Sequence, residues 1–303
     1  CAPRGSEKLR RLPVKPLHPC RIRLPRLQAG FTLVELTMVL VIVALLLGGV
    51  MAMVSAQTEQ RKWKDTQSQL EAARDAILGY AIANGRLPCP AKSTSAGAEV
   101  RQASGTYIND CGALNNNPAA NSYDYYGGVI AGVTYGLLPA VTLGYQPVDS
   151  QGFALDAWGN RIRYALSSTF SVSSPNTTNF TNASTLKTSG VSFLPNDLVV
   201  CASSTGILPG NSPPSCGGTA NSVTNQTTVV AILYSPGKNG TSSITVAQTD
   251  EAANENRTAT NDAVFVSHTP APVGATGGEF DDQVLWITVG TLYSKLIAAG
   301  VLP

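Results

Sequence analysis

Gly30-Phe31-Thr32-Leu33-Val34-Glu35 opens an apolar run, FTLVELTMVLVIVALLLGGVMAMV over residues 31–54, in which Glu35 is the only charge. At about 1.5 Å per helical residue, such a run can cross a hydrocarbon core of about 30 Å. On its N-terminal side lie Arg4, Lys8, Arg10, Arg11, Lys15, Arg21, Arg23 and Arg26, against Glu7 alone. A positive flank holds that end of a spanning helix in the cytoplasm, so everything after residue 56 is expected outside. An ordinary secretory signal is the competing reading, with Val54-Ser55-Ala56 as its peptidase site and Gln57 as the mature start. Apolar segments of that kind usually run about 7–15 residues and carry no acid.

The helical pattern does not stop with the apolar run. Trp63, Leu70 and Ile77 recur at heptad spacing, and Ala73, Tyr80 and Ala81 widen the stripe, which marks one helix face for burial. Arg61 and Asp65 are spaced for an i,i+4 ion pair. No proline occurs between residues 31 and 87. One helix from about Phe31 to Asn84 would be roughly 80 Å long, capped by Gly85 and barred from continuing by Pro88. Two helices broken near Gly48-Gly49 are the alternative, because paired glycines weaken a helix. The expected segments are a basic cytoplasmic leader at 1–30, the membrane half of the helix at 31–56, its amphipathic half at 57–87, and an extracytoplasmic β-rich domain at 88–303.

Charged residues are only 13% of the chain, while Gly, Ser, Thr and Asn crowd its second half, as in a loop-rich, mostly β domain. The net charge of +2 conceals an asymmetry. Setting the leader's eight basic residues and Glu7 apart from the chain's 21 basic and 19 acidic residues leaves 13 against 18. The bulk of the protein thus gives no compositional support to a nucleic-acid surface.

Cys1 and Cys20 precede the apolar run, whereas Cys89, Cys111, Cys201 and Cys216 follow it. An even set suits disulfides in an oxidising compartment. Zinc is the weaker reading, since no C-x-x-C spacing occurs and His268 is the only histidine on that side. Three pairings exist in principle. Cys89–Cys111 and Cys201–Cys216 are preferred because each closes a modest loop rich in Gly, Pro or Asn.

Beyond Pro88 the signals are strand-like. Asn160 to Leu166 alternates, with Ile162, Tyr164 and Leu166 on one face and Arg161 and Arg163 on the other. Leu198–Cys201, Thr228–Tyr234, Ala263–Val266 and Gln283–Val289 are further short strands, separated by Trp158-Gly159-Asn160, Ser235 to Gly240 and Gly277-Gly278. Residues 167–190 are polar and of low complexity, and read as an exposed loop. A last helix at about Thr291–Ala299 turns Leu292, Leu296 and Ile297 inward and ends at Gly300.

The leader charge, the Gly30-Phe31 junction, Glu35 and the long helix together resemble the N-terminus of type IV prepilins and of the pseudopilins of type II secretion, over roughly residues 22–85. The resemblance implies cleavage by prepilin peptidase between Gly30 and Phe31, N-methylation of the new Phe31 amine, and an assembly role for Glu35. It implies an α+β, pilin-like fold, in which a long N-terminal helix packs on an antiparallel β-sheet domain with long loops. The implied partners are the peptidase, other pilin or pseudopilin subunits and the inner-membrane assembly platform. An intramembrane carboxylate is costly and usually paired, and the Phe31 amine of a neighbouring subunit would neutralise Glu35. The proline common in the middle of major pilin helices is replaced here by Gly48-Gly49 and Ala52, which favours a pseudopilin or minor pilin. Asp156-Ala157-Trp158-Gly159-Asn160 looks like the pseudopilin Asp-Pro-Trp-Gly-Asn turn, with Ala157 in place of the proline. Ser235 to Gly240 and Phe280-Asp281-Asp282 are similar to the C-terminal part of those proteins, where a loop in some members binds calcium.

Asp281 and Asp282, joined by oxygens from the acidic stretch at 250–255, are the candidate calcium ligands, since that ion takes several oxygens at about 2.3–2.6 Å. Enzymatic chemistry finds no support. Gly237-Lys238 lacks the first glycine and the Ser/Thr of a phosphate loop. His268 lies near Pro270 with no nucleophile motif and reads as a surface residue. Tyr123, Tyr125 and Tyr126 beside Asp124 form either a sticky loop or core. The function expected is structural, as a subunit of a type II secretion pseudopilus or a type IV pilus. The alternative is a filament-tip minor pilin acting as a binding module for a surface, a secreted substrate or DNA.

Overall fold

The computed structural model describes residues 30–101, 111, 125–130, 132–167, 180–189, 197–207, 215–225, 227–240, 250–255 and 263–302. The side chains of 49–55, 130 and 189 fall outside that description, as does the basic leader. By its internal contacts the chain divides into two units, Cys1–Ser55 and Ala56–Pro303.

Helix α1 runs over Leu33–Asn84 without a break at the glycine pair. Its stretch within the second unit buries Thr66, Leu70, Ala73, Ile77, Leu78 and Ala81. Steps of three and four residues keep these positions on one face. Trp63 is half-buried and meets the ring of Trp158 edge-on at 6.2 Å. Arg61 and Asp65 are both exposed and form no ion pair with each other; further along the helix Arg74 pairs with its neighbour Asp75. The helix ends where its sequence requires. Gly85 takes φ +66°, and its N–H donates to the Ala81 carbonyl at 2.8 Å. Pro88 then offers no N–H for continuation.

The central sheet is antiparallel in the order β3-β5-β7, with β3 at Arg163–Leu166, β5 at Val229–Ser235 and β7 at Gln283–Thr288. Tyr164 pairs with Leu233, which pairs in turn with Leu285. Every residue of β5 is buried, as a middle strand covered on both faces must be. The same covering corrects the alternation expected at 160–166. All four residues of β3 are buried, Arg163 included, and its guanidinium lies 3.8 Å from the buried Glu255 carboxylate.

Other departures have similar causes. Strands β4, Val199–Cys201, and β6, Val264–Val266, pair in parallel rather than antiparallel, which the long connection between them permits. A small hairpin joins β1, Gly128–Ile130, to β2, Val133–Tyr135, in a glycine-rich stretch that gives little strand signal. Among the described residues, short helices also form at α2, Ala140–Leu143; α3, Ala183–Ser189; and α4, Asp250–Glu255. Helix α3 corrects the exposed-loop reading of 167–190, because Phe180 and Leu186 are buried and Phe180 accepts the Leu87 N–H at 2.8 Å. Residues 168–179 and 190 lie outside the described ones. The last helix, α5, covers Val289–Ala298, with Thr288 Oγ1 accepting the Thr291 N–H as its cap. It buries Leu292, Tyr293 and Leu296, while Ile297, expected inward, is 43% exposed because Tyr293 takes the inward face.

Both preferred cysteine pairs lie at bonding distance, with S–S separations of 2.14 Å for Cys89–Cys111 and 2.01 Å for Cys201–Cys216. Beside the first, the segment leaving α1 is fastened by a polar knot. Arg86 holds Glu99 through two hydrogen bonds of 2.7 and 2.9 Å, and the Tyr80 hydroxyl and the Cys89 N–H also donate to that carboxylate. Burial works to raise the Glu99 carboxyl, but the Arg86 and Cys89 hydrogen bonds outweigh it and leave it below its usual value. Burial and the Glu99 charge push the Tyr80 hydroxyl up to about 12. A depressed carboxyl contributes stability above its unfolded titration range and loses it as pH falls through the folded one. Glu99→Gln should therefore cost on the order of 2–3 kcal/mol near neutrality, somewhat less than a fully buried pair, because both side chains keep some solvent. In denaturant unfolding of the full chain, the gap to wild type should close as the pH drops below about 4.

Candidate functional site

The N-terminal stretch is organised by a helix cap. The Thr32 hydroxyl accepts the Glu35 N–H at 3.2 Å, and the Thr32 carbonyl accepts the Leu36 N–H at 3.1 Å. Thr32-Leu33-Val34-Glu35 thus has the Ser/Thr-x-x-Glu spacing of a capping box, a signal legible in the sequence itself. Glu35 sits in the first turn of α1, where a carboxylate complements the positive end of the helix dipole. Its side chain is exposed and makes no hydrogen bond or ion pair with another described side chain.

Phe31, Leu33 and Val34 are 82%, 80% and 76% exposed, and the apolar side chains onward to Leu47 are exposed as well. A continuous apolar surface of this length marks a face that needs an apolar environment. Gly30 is exposed too. Among the described residues no helix is long and apolar enough to cross a membrane. The side chains described in the apolar run of α1 stop at Gly48, and helix from Leu33 to that point measures about 24 Å, short of the ~30 Å core. The helix continues through the rest of the span expected at 31–56, where the side chains of 49–55 fall outside the description.

A second cluster forms in the other unit. Asp156 accepts the N–H groups of Trp158 and Asn160 at 2.9 and 2.8 Å, and the Ser235 hydroxyl at 2.5 Å. The turn it closes is fixed to α1 by the Ala157 N–H, which donates to Thr66 Oγ1 at 3.1 Å, and to the 235–240 turn by Asn160, which donates to the Gly237 carbonyl at 2.6 Å. Ala157 thus serves in place of the proline by supplying an N–H that proline lacks.

The 235–240 turn in turn receives Asp281, whose Oδ2 accepts the Lys238 and Asn239 N–H groups, both at 3.1 Å. Glu251 accepts the Asn239 amide and the Asp281 N–H. As a result Glu251, Asp281 and Asp282 each bring a carboxylate oxygen within 4.8 Å of the others. These three are the described residues that an oxygen-seeking cation would find together. Burial pushes all three carboxyls up, Asp282 most strongly, and the neighbouring acids add to that effect. The other acids of 250–255 are committed elsewhere, Glu255 to Arg163 and Asp250 to Ser204 and His268.

His268 is not the surface residue expected. Its ring stacks on Phe280 at 3.9 Å and its side chain is 23% exposed. Tyr125 and Tyr126 are buried, which removes them from any sticky loop; Tyr123 and Asp124 lie outside the described residues.

Against known proteins, residues 25–51 match the prokaryotic N-terminal methylation motif. That motif supports the type IV pilin and pseudopilin family. No curated protein and no solved structure matches the chain.

Gly237 is the position on which the acidic cluster rests. At φ +65°, a Cβ there would stand 1.9 Å from Asp281 Oδ1 and 2.4 Å from the Asp281 carbonyl oxygen. Gly237→Ala should cost on the order of 2–4 kcal/mol from backbone strain and displacement of Asp281, read as a lower denaturation midpoint of the full chain.

Proposed function

We propose that this chain is a structural subunit of a type IV pilus or a type II secretion pseudopilus. The leader is removed at Gly30-Phe31, Phe31 becomes the methylated N-terminus, and the subunit is packed into a filament through α1. The observation that carries this reading is the methylation motif at residues 25–51 coinciding with an exposed, capped helix start that presents an unpaired Glu35.

The physical logic follows from the exposed apolar surface. The apolar side chains from Phe31 to Leu47 are exposed among the described residues, and lipid or the apolar stems of like subunits would cover them. We place the chain first in the bacterial inner membrane, with its basic end in the cytoplasm and its β-rich domain outside, and then in the filament. A carboxylate transferred into an apolar filament core is costly unless neutralised, and the free amine of a neighbour's Phe31 is the nearest cation that the motif creates.

Mass spectrometry of the mature protein should find an N-methylated Phe31 as its first residue. A mature chain beginning at Gln57 would sink the proposal. Glu35→Ala should leave membrane insertion intact and lower incorporation into sheared filaments by about tenfold or more, the ratio given by ~1.4 kcal/mol. Normal incorporation would reject the pairing of Glu35 with a neighbouring amine.

A further inference from the structure

The face of α1 opposite its buried stripe carries its charge in blocks. Arg61, Lys64, Ser68, Glu71, Asp75 and Gly79 follow one another in steps of three and four residues, and all of them are exposed. Those steps keep them in line along one side of the helix, turned away from the buried Leu70, Ala73, Ile77 and Ala81. All of them lie within the second unit. The basic pair comes first, the uncharged Ser68 follows, and the acids begin about two turns beyond Lys64. Lys62 and Asp65 flank the basic pair with opposite charges, which leaves its sign unchanged.

Within one chain this arrangement is unfavourable. Arg61 and Lys64 are like charges at i,i+3, and Glu71 and Asp75 are like charges at i,i+4, the spacings at which helix side chains meet. Neither block relieves the other, because the seven-residue step from Lys64 to Glu71 spans about 10 Å. The side chains of Arg61, Lys64 and Glu71 make no hydrogen bond or ion pair with another described side chain. Arg74 engages only Oδ1 of Asp75, whose side chain is 70% exposed. Farther along the stripe, a Cβ on Gly79 would meet nothing within 4 Å, so that stretch of helix surface is open to a neighbour.

Resting on the reading of the chain as a filament subunit, we infer that this face docks a second copy of the chain through its charges. The second α1 lies parallel and displaced along the axis by about ten residues, or about 15 Å. Arg61 and Lys64 of one copy then lie level with the Glu71 and Asp75 block of its neighbour. In-register packing would set like against like, so the charges select the displaced arrangement. Each copy offers its basic block to one neighbour and its acidic block to another. Such a head-to-tail contact does not pair two copies off, and it propagates as a filament. Anionic lipid headgroups would neutralise the basic block alone and leave Glu71 without a counter-charge, which favours a like subunit.

Charge exchange in the full-length chain tests the contact. Arg61→Glu and Glu71→Arg should each lower the share of chain recovered in sheared filaments by on the order of tenfold, because each sets like charges against each other between subunits. The double variant should recover to within about threefold of wild type, as coupled positions do. Residues 61 and 71 stand about 15 Å apart along their own helix, so the recovery cannot arise inside one subunit. Within the subunit each reversal removes a like-charge neighbour, and the thermal midpoints of the variants should match or exceed that of wild type. Independently of charge, co-expressed Arg61→Cys and Glu71→Cys subunits should cross-link through a short bismaleimide far more than either does alone. Single reversals that assemble like wild type, a double variant no better than the singles, or absence of the mixed cross-link would overturn the contact. Loss of membrane association in Arg61→Glu, with Glu71→Arg assembling normally, would assign the basic block to lipid and overturn it as well. Wild-type chains that never enter filaments would reject the subunit reading and this contact together, whereas filaments indifferent to the reversals reject the contact alone.

Discussion

Burial of one face of α1 against the central sheet is the contact on which the second unit depends. Leu70, Ala73, Ile77 and Ala81 join the same core as Tyr164, Leu166, Ile232 and Leu233. Leu70 and Ile77 are the larger two of those four helix residues and fill the space within that core. The sheet needs this cover because its middle strand is buried throughout and mostly apolar. The helix needs it too, since an amphipathic segment gains most of its stability from packing and little from intrinsic propensity. A polar side chain at Ala73 or Ala81 would strike at both.

Polar devices then fix how the loops meet that core. The Arg86–Glu99 pair, close to the Cys89–Cys111 bond, fastens the chain as it leaves α1. The Asp156 turn fastens α1 to the end of β5, and the 235–240 turn passes the constraint to Asp281 and Glu251. Each of these acids accepts several N–H or O–H groups, which is how carboxylates are tolerated at low exposure. Gly237 matters because only a residue without a Cβ lets the Asp281 side chain reach those N–H groups.

The N-terminal stretch follows the opposite logic. Its apolar side chains are exposed, its cap is satisfied locally by Thr32, and its one acid has no partner among the described side chains. A surface of that kind is unfinished within one chain. It is completed by lipid and then by like subunits in the function proposed, and the methylation motif lies on the same residues.

Periodicity and turn chemistry in the sequence were enough to determine the long helix, its end at Gly85, the strands at 199–201, 229–235, 264–266 and 283–288, the preferred cysteine pairs and the processing motif. These are local properties, set by the spacing of apolar side chains and by residues with restricted backbones. Only the tertiary structure decided that Arg163 points into the core toward Glu255, that β4 and β6 run parallel, that Phe180 and Leu186 draw part of an expected loop inward, and that Glu251 completes the acidic cluster while Asp250 turns to His268. Those outcomes depend on partners distant in sequence. A charged residue on a strand reads as solvent-facing until a buried counter-charge from another element is brought beside it, and no pattern within the strand itself carries that information.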